Sequence, residues 1–385
     1  MRLNLSTYQR SVIAGAVVIP LMACSSWPSK PDQSKAIEQI SQSQIGSAQA
    51  VATTRKVPTP MLIFKGHSER VTSVVFSPDS QLIASASYDD TVKLWNPETG
   101  QVICTFSVEP AERDYGEGFV FSIESSSKIS FSQDGKILTL GNGYNALISW
   151  QVDTGKVVRK IKGREDYTAG VAFSPNGNFF ANTLAINRGS LSVSGLAGLS
   201  TEQMVQRLSQ STFLPEGNIG IWDVRTGQRT STIPKTGLVL SMAFSSDNRF
   251  LVSTDLGGES QLWDLNLRRL LRKWQGFRTI AISPNGEFIA GDSCQVVKVW
   301  NRKTGEEIYS LGGVDRIEDL VFSSDSRTLA ATNPADDTLR VWDLTTGQSV
   351  GILPSPQAFS VAISPNNELI AAGNFDNTVR VWKIR

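Results

Sequence analysis

The sequence predicts an all-β chain assembled from repeated four-stranded units, and three observations carry that prediction. First, residues 66–103 read as one complete unit. Val71–Phe76, Gln81–Ala86, Thr91–Trp95 and Val102–Phe106 are short β-rich runs. They are separated by the turn clusters Ser77-Pro78-Asp79-Ser80, Asp89-Asp90 and Asn96-Pro97-Glu98-Thr99-Gly100. Second, a bulky apolar residue followed by Ser and, two further on, Asp or Asn recurs at Phe76, Phe131, Phe173, Phe244, Ile282, Phe322 and Ile363. Third, a Trp closes the predicted third strand at Trp95, Trp150, Trp222, Trp263, Trp300, Trp342 and Trp382. Most steps in both series are close to ~40 residues, a spacing that marks repeat architectures. A lone sheet of four strands cannot bury both faces, so each unit needs a copy of itself on either side.

That period, with Gly66-His67 early and Trp95-Asn96, Trp222-Asp223, Trp263-Asp264 and Trp342-Asp343 late, resembles the WD40 repeat family. The resemblance covers residues 61–385 and implies a seven-bladed β-propeller. It also implies a hydrogen-bonded network of structural residues in the first blade: His67, Ser85 or Ser87, Asp89 and Trp95. The later units lack the His, although Asp336 and Asp376 keep the turn acid before Trp342 and Trp382. By the same resemblance, Cys104 and Cys294 fall in blades too far apart for a disulfide and are read as free thiols.

The chain of 385 residues carries a net charge of +1, which gives no basic footprint for nucleic acid. Its single histidine, His67, excludes a His-cluster metal site and is read as structural. No phosphate-binding Gly loop, zinc spacing, calcium loop or nucleophile elbow is present. Turn chemistry accounts for the paired acids Asp89-Asp90 and Asp336-Asp337. The expectation is therefore a non-enzyme with no cofactor and no metal.

Residues 1–23 have a basic start (Arg2, Arg10) and an apolar run from Val12 to Ala23, shorter than a bilayer span and suited to a secretory signal. The run ends Leu21-Met22-Ala23-Cys24, which resembles a bacterial lipobox, with Met22 departing from the usual residue. That resemblance implies lipidation at Cys24 and export to a bacterial membrane, the outer one facing the periplasm if two are present. Residues 24–60, rich in Ser, Gln, Ala and Pro, read as a linker. In the remainder, 61–385, Met61–Phe64 stands where a fourth strand belongs, while the chain ends right after the third strand of the last unit. The N-terminal strand is thus expected to close the last blade and remove its open edge.

Two steps in the repeat are long. Phe76 to Phe131 and Trp95 to Trp150 both span 55 residues, which puts one insertion at 107–126. Phe173 to Phe244 spans 71, which puts a second at 187–217. The first holds the aromatics Tyr115, Phe119 and Phe121, and the second a short amphipathic helix presenting Met204 and Leu208. Tyr167 is their neighbour. Family geometry puts both loops on the top of the disc, so these six residues are the expected partner contacts. The functional expectation is a monomeric, membrane-tethered scaffold for protein partners. The alternatives are an envelope-assembly lipoprotein, and a lactonase- or lyase-like propeller enzyme with a site at the channel mouth.

Overall fold

A computed structural model describes residues 58–108, 127–141, 147–161, 170–184, 218–234, 239–255, 257–293 and 295–384. They form seven four-stranded antiparallel sheets, the blades of a β-propeller, with every described element a strand. Blade one runs Val71–Phe76, Ile83–Ser87, Thr91–Trp95 and Val102–Ser107 from the inner to the outer strand. Blades two to six occupy 128–161, 171–233, 239–275, 280–312 and 320–354. Blade seven takes Ala358–Ile363, Leu369–Asn374 and Val379–Lys383 from the end of the chain and Leu62–Phe64 from its beginning. The second strand of blade one starts at Ile83 rather than Gln81, because Gln81 N is held by the Asp79 side chain in the preceding turn.

The repeated Ser-x-Asp/Asn signature has a single physical role in all seven blades. In blade one, Ser77 Oγ donates to Asp79 Oδ1 (2.5 Å) and accepts from Leu82 N (2.9 Å), while Asp79 Oδ1 accepts from Gln81 N (3.0 Å). Ser132, Ser174, Ser245, Ser283, Ser323 and Ser364 repeat the first bond with Asp134, Asn176, Asp247, Asn285, Asp325 and Asn366. One hydroxyl and one carbonyl-type oxygen thereby satisfy the backbone donors at the hairpin tip, where the strand ladder ends. The fourth turn residue lies at positive φ, for example Ser80 (64°), Asn248 (56°) and Ser326 (60°).

The second series, the Trp residues, is equally regular. Each of the six outer strands that follow their own blade carries a register shift beside that Trp. Trp95 pairs with Val102 and Leu94 with Cys104, which leaves Ile103 as a bulge. Val158, Thr230, Leu271, Ile308 and Val350 occupy the same place in blades two to six. A bulge leaves its extra residue unpaired and bends the strand.

Apolar burial is organised between blades rather than within them. Seven clusters of buried side chains lie one at each junction of neighbouring blades. At the junction of blades one and two, for instance, Leu94 and Phe106 meet Ile129, Leu140 and Trp150. No blade has a core without its neighbours, which is why the units must repeat and the ring must close.

Closure is made by the N-terminal strand. Leu62, Ile63 and Phe64 pair with Val381, Arg380 and Val379. Phe64 then stacks on Trp95 of blade one, with ring centroids 4.3 Å apart and planes 4° from parallel. Its ring covers Gly66 so closely that a Cβ there would sit 2.3 Å from Phe64 Cζ, so the Gly of Gly66-His67 is a steric requirement of the latch.

Cys104, in the outer strand of blade one, is a half-buried free thiol. Cys24, Cys294 and most of the two insertions lie outside the described residues. Ser107 is not part of the first insertion: it pairs with Thr91 as the last residue of a strand, and Val108 behind it is buried.

Candidate interaction surface

Antiparallel order puts the starts of the inner and third strands and the ends of the second and outer strands on one side of the ring, its top. The top of blade one is anchored by the residues expected from the sequence. His67 Nδ1 lies 2.9 Å from Asp89 Oδ2, and His67 Nε2 lies 2.8 Å from Ser85 Oγ, which also accepts from Trp95 Nε1 at 3.1 Å. Asp89 further accepts from Thr91 Oγ1 (2.6 Å), Thr91 N (3.0 Å) and Ser68 N (3.1 Å). Ser87 stands beside this chain: its Oγ donates to Glu69 O at 2.8 Å and accepts from Asp89 N at 3.2 Å. Burial acts to raise the Asp89 pKa, but the bonds from His67 and Thr91 outweigh it and hold the carboxyl well below the usual range. A side chain so fully engaged is a brace, and its chemistry is spent on holding the loop before blade one.

Other blades hold the Trp or the entry loop with different residues. Asn182 Oδ1 takes Trp222 Nε1 at 2.7 Å in blade three, and Gln261 Oε1 takes Trp263 Nε1 at 3.0 Å in blade four. In blade five, Asp292 Oδ1 accepts from Arg278 N (2.7 Å) and Thr279 N (2.6 Å), and burial pushes its pKa up. Thr332 does this work in blade six, accepting from Glu318 N and Asp319 N. Asp292 is thus a loop anchor, and its repeat position explains a perturbed carboxyl without invoking catalysis.

Around the central channel, neighbouring inner strands are cross-linked by serines. Ser73 Oγ accepts from Ile129 N, Ser241 Oγ from Ile280 N, and Ser360 Oγ from Val74 N, each at 3.3 Å. Each of these serines follows a bulge, at Thr72, Leu240 and Phe359, which turns its side chain toward the next blade. Ser360 Oγ also donates to Asp319 Oδ2 at 3.0 Å, and Asp319 Oδ1 meets Lys128 Nζ at 3.5 Å. Lys128 opens blade two and Asp319 precedes blade six. Those blades are not neighbours, so the pair reaches across the channel mouth. The acid at the mouth is therefore already matched by a cation and a hydroxyl.

One aromatic and cationic cluster on the described top face lies at the seam between blades seven and one. The Arg70 guanidinium carbon lies 3.8 Å from the centre of the Tyr88 ring and 5.4 Å from that of Phe375. Phe375 stacks on Phe359 at 6.0 Å and remains 46% exposed, large for an aromatic side chain. Asn377 Nδ2 donates to Ser68 O (2.9 Å), tying the loops of the two blades together. Beside this cluster lies an open cavity of about 450 Å³ lined by Ile63, Lys65, His67, Asn377, Thr378 and Arg380, together with Asp376. Small-molecule pockets of that size are mostly apolar; this lining is polar except for Ile63, the character of a wet groove on an interface.

Sequence reasoning missed this cluster, although a signal was present. Tyr88 and Phe375 both stand immediately before the turn acids Asp89 and Asp376, so two blades place an aromatic at one repeat position. The partner contacts expected from the sequence, Tyr115, Phe119, Phe121, Tyr167, Met204 and Leu208, all lie outside the described residues. Among the described residues no group of His, Cys, Asp and Glu side chains is arranged to hold a metal.

Comparison with known proteins agrees with this architecture. Residues 58–96, 227–264, 305–343 and 347–383 match the WD40 family, described as WD domain, G-beta repeat. The chain is 26% identical over 317 residues to Pre-mRNA-processing factor 19 homolog 2 of Arabidopsis thaliana, covering 78% of this chain and 51% of that protein. It is 24% identical to Autophagy-related protein 16 of Arabidopsis thaliana, covering 81% of this chain and 47% of that protein. It is 27% identical to the Serine-threonine kinase receptor-associated protein of Dictyostelium discoideum, covering 73% of this chain and 98% of that protein. The chain thus spans about half the length of the two plant relatives and nearly all of the Dictyostelium one. Sheet order and the seven Trp positions make the chain a seven-bladed β-propeller, four segments of which match the WD40 repeat.

Proposed function

We propose that this propeller is a membrane-tethered scaffold that docks partner proteins on its top face, centred on Arg70, Tyr88, Phe359 and Phe375 at the seam of blades seven and one. The observation that carries the reading is the exposed Phe375 beside an Arg already stacked on Tyr88. Aromatic and Arg side chains dominate interface energetics, and a preordered cluster loses little entropy on docking. The names of the relatives, a receptor-associated protein among them, fit a chain that works by association. The tether follows from residues 1–24, with Cys24 as the lipidated residue and a bacterial envelope as the destination. Against a channel-mouth enzyme stands Asp319, engaged by Lys128 and Ser360.

The test is affinity capture of the full chain from detergent-solubilised membranes, beside Tyr88→Ala/Phe375→Ala and a control, Leu267→Ala, at an exposed turn on the opposite side of the ring. A protein caught by the wild type and the control, but lost several-fold by the double variant, supports the reading. Equal capture by all three moves the contact off this cluster and overturns the site.

A further inference from the structure

The outer strands of blades seven, one and two share a feature that top-face docking leaves unused. Met61 in blade seven, Val102 and Ile103 in blade one, and Val157 and Val158 in blade two are all exposed, by 40% to 56%. Ile103 and Val158 are the bulge residues beside Trp95 and Trp150, so the register shift itself turns them outward. The three strands are contiguous. Leu62 packs at the Gly100 turn of blade one, 3.5 Å from where a Cβ would stand, and the Cys104 thiol packs at the Gly155 turn of blade two, at 3.4 Å. The result is one apolar arc along the lower edge of three adjacent blades. Blade six continues the run beside blade seven with Val350 and Ile352, 62% and 45% exposed. Blade five has Ile308 beside exposed Glu306 and Glu307, and blade three is polar there, with exposed Arg229 and Thr230.

Two further observations say what covers the arc. The chain enters the fold at this edge: exposed Pro58 and Thr59 lead into Met61, with 57 residues preceding them. Those residues include the apolar run Val12–Ala23 and Cys24. Exposed Lys156 and Lys160 flank Val157 and Val158 on the blade two strand. Long basic side chains beside an apolar patch suit a bilayer surface, the methylenes lying along the apolar boundary and the ammonium groups among anionic headgroups. The acids nearby, Glu98 and Asp153, sit in the turns before these strands.

We infer that the apolar arc of blades seven, one and two rests on the lipid surface to which the N-terminus is tethered. The inference depends on the tethered reading above and adds an orientation to it. With the lower edge of these blades on the bilayer, the top mouth and the Arg70 cluster face away from the membrane, open to partners.

The experiment uses the full chain, purified in detergent from the membranes of the expressing bacterium and reconstituted on vesicles of phosphatidylethanolamine and phosphatidylglycerol. A photo-reactive benzophenone amino acid replaces Ile103, Val158 or, as a control at the equivalent bulge of blade three, Thr230. After irradiation, lipid adducts are counted by mass spectrometry. Several-fold more adduct at positions 103 and 158 than at 230 is the expected result. Equal or absent adducts on protein that sediments with the vesicles overturn the arc and leave the tether standing. Protein that does not sediment with the vesicles overturns the tether, and the arc with it.

Discussion

Blades one and seven meet at the seam and share a turn acid at the same repeat position, yet they hold it by different means. In blade one Asp89 is enclosed: its side chain is 9% exposed, that of His67 is fully covered, and Ser85 links the pair to Trp95. In blade seven Asp376 takes Thr378 Oγ1 at 2.5 Å and Arg380 at 3.0 Å, and its side chain is 36% exposed. Blade six repeats the second solution with Asp336, Thr338 and Arg340. An Arg four residues along the same strand therefore replaces a His brought in from the loop before the blade. The His version ties the loop, the second strand and the Trp into one buried unit; the Arg version neutralises a charge at the surface and ties down less.

Removing His67 tests this contrast most directly. His67→Ala strips Asp89 of its ring partner inside a mostly closed site and leaves Ser85 with one bond fewer. The expected cost is about 3 kcal/mol, near the lower end for breaking a buried pair, because Thr91 and Ser68 still donate to the carboxylate. It is read as a lower midpoint in urea unfolding. The same network predicts a pH dependence with a definite sign. The folded-state pKa of Asp89 is depressed, so its contribution is fully present above the unfolded value and is lost as pH falls through the folded one. Wild type and Asp89→Asn should therefore differ in stability at neutral pH and converge as the pH drops below about 4, near the unfolded pKa of an aspartate. A gap that stays constant down to strongly acidic pH would show that the charge of Asp89 carries no stability.

The next effect separates the two blades at the Trp. Ser85 Oγ accepts from Trp95 Nε1 and lies within hydrogen-bond distance of His67 Nε2, and its register equivalent in blade seven is Ala372, since Ser85 pairs with Lys93 and Ala372 with Arg380. Trp382 Nε1 accordingly is buried without a hydrogen-bond partner among the described residues. Ser85→Ala is expected to cost about 1–3 kcal/mol by leaving the buried Trp95 Nε1 and His67 Nε2 without their partner. Ala372→Ser is expected to gain about 1 kcal/mol, the net worth of one bond, by giving Trp382 an acceptor. Calorimetric melting of both variants decides it. If Ala372→Ser destabilises by as much as Ser85→Ala, the two sites are not equivalent and the register argument fails.

The same two blades show what the sequence can and cannot disclose. Ser77, Asp79 and Leu82 act within five residues of one another, so the turn motif is legible in every repeat. The closing strand is legible by counting, because a blade without a fourth strand at one end of the chain needs Met61–Phe64 from the other. The Arg70 cluster is not: Arg70 and Tyr88 come from the start of the ring, and Phe359 and Phe375 from its end. Only closure brings them together. Lys128 and Asp319 likewise meet only because the ring puts blades two and six across a channel. Pattern reading also sought partner contacts in the long insertions because they are irregular. The described aromatic cluster sits in strand ends and short turns of regular blades, where a residue stands out only against its equivalents.

The smallest effect completes the contrast. Arg380→Ala removes the cation from Asp376, but the carboxylate keeps its bond from Thr378 and its access to water, so it is not left stranded. Exposed pairs contribute about 0.2–1 kcal/mol and are screened by salt. The loss should therefore fall at or below that range in dilute buffer and shrink further in molar salt, whereas the loss from His67→Ala should persist there. Arg380 also packs against the closing strand through its partner Ile63 and lines the cavity at the seam. A loss that exceeds about 1 kcal/mol and survives high salt would mean that its aliphatic stem, rather than its charge, holds the closing strand. The Arg solution of blade seven would then be part of the latch rather than a surface substitute for His67.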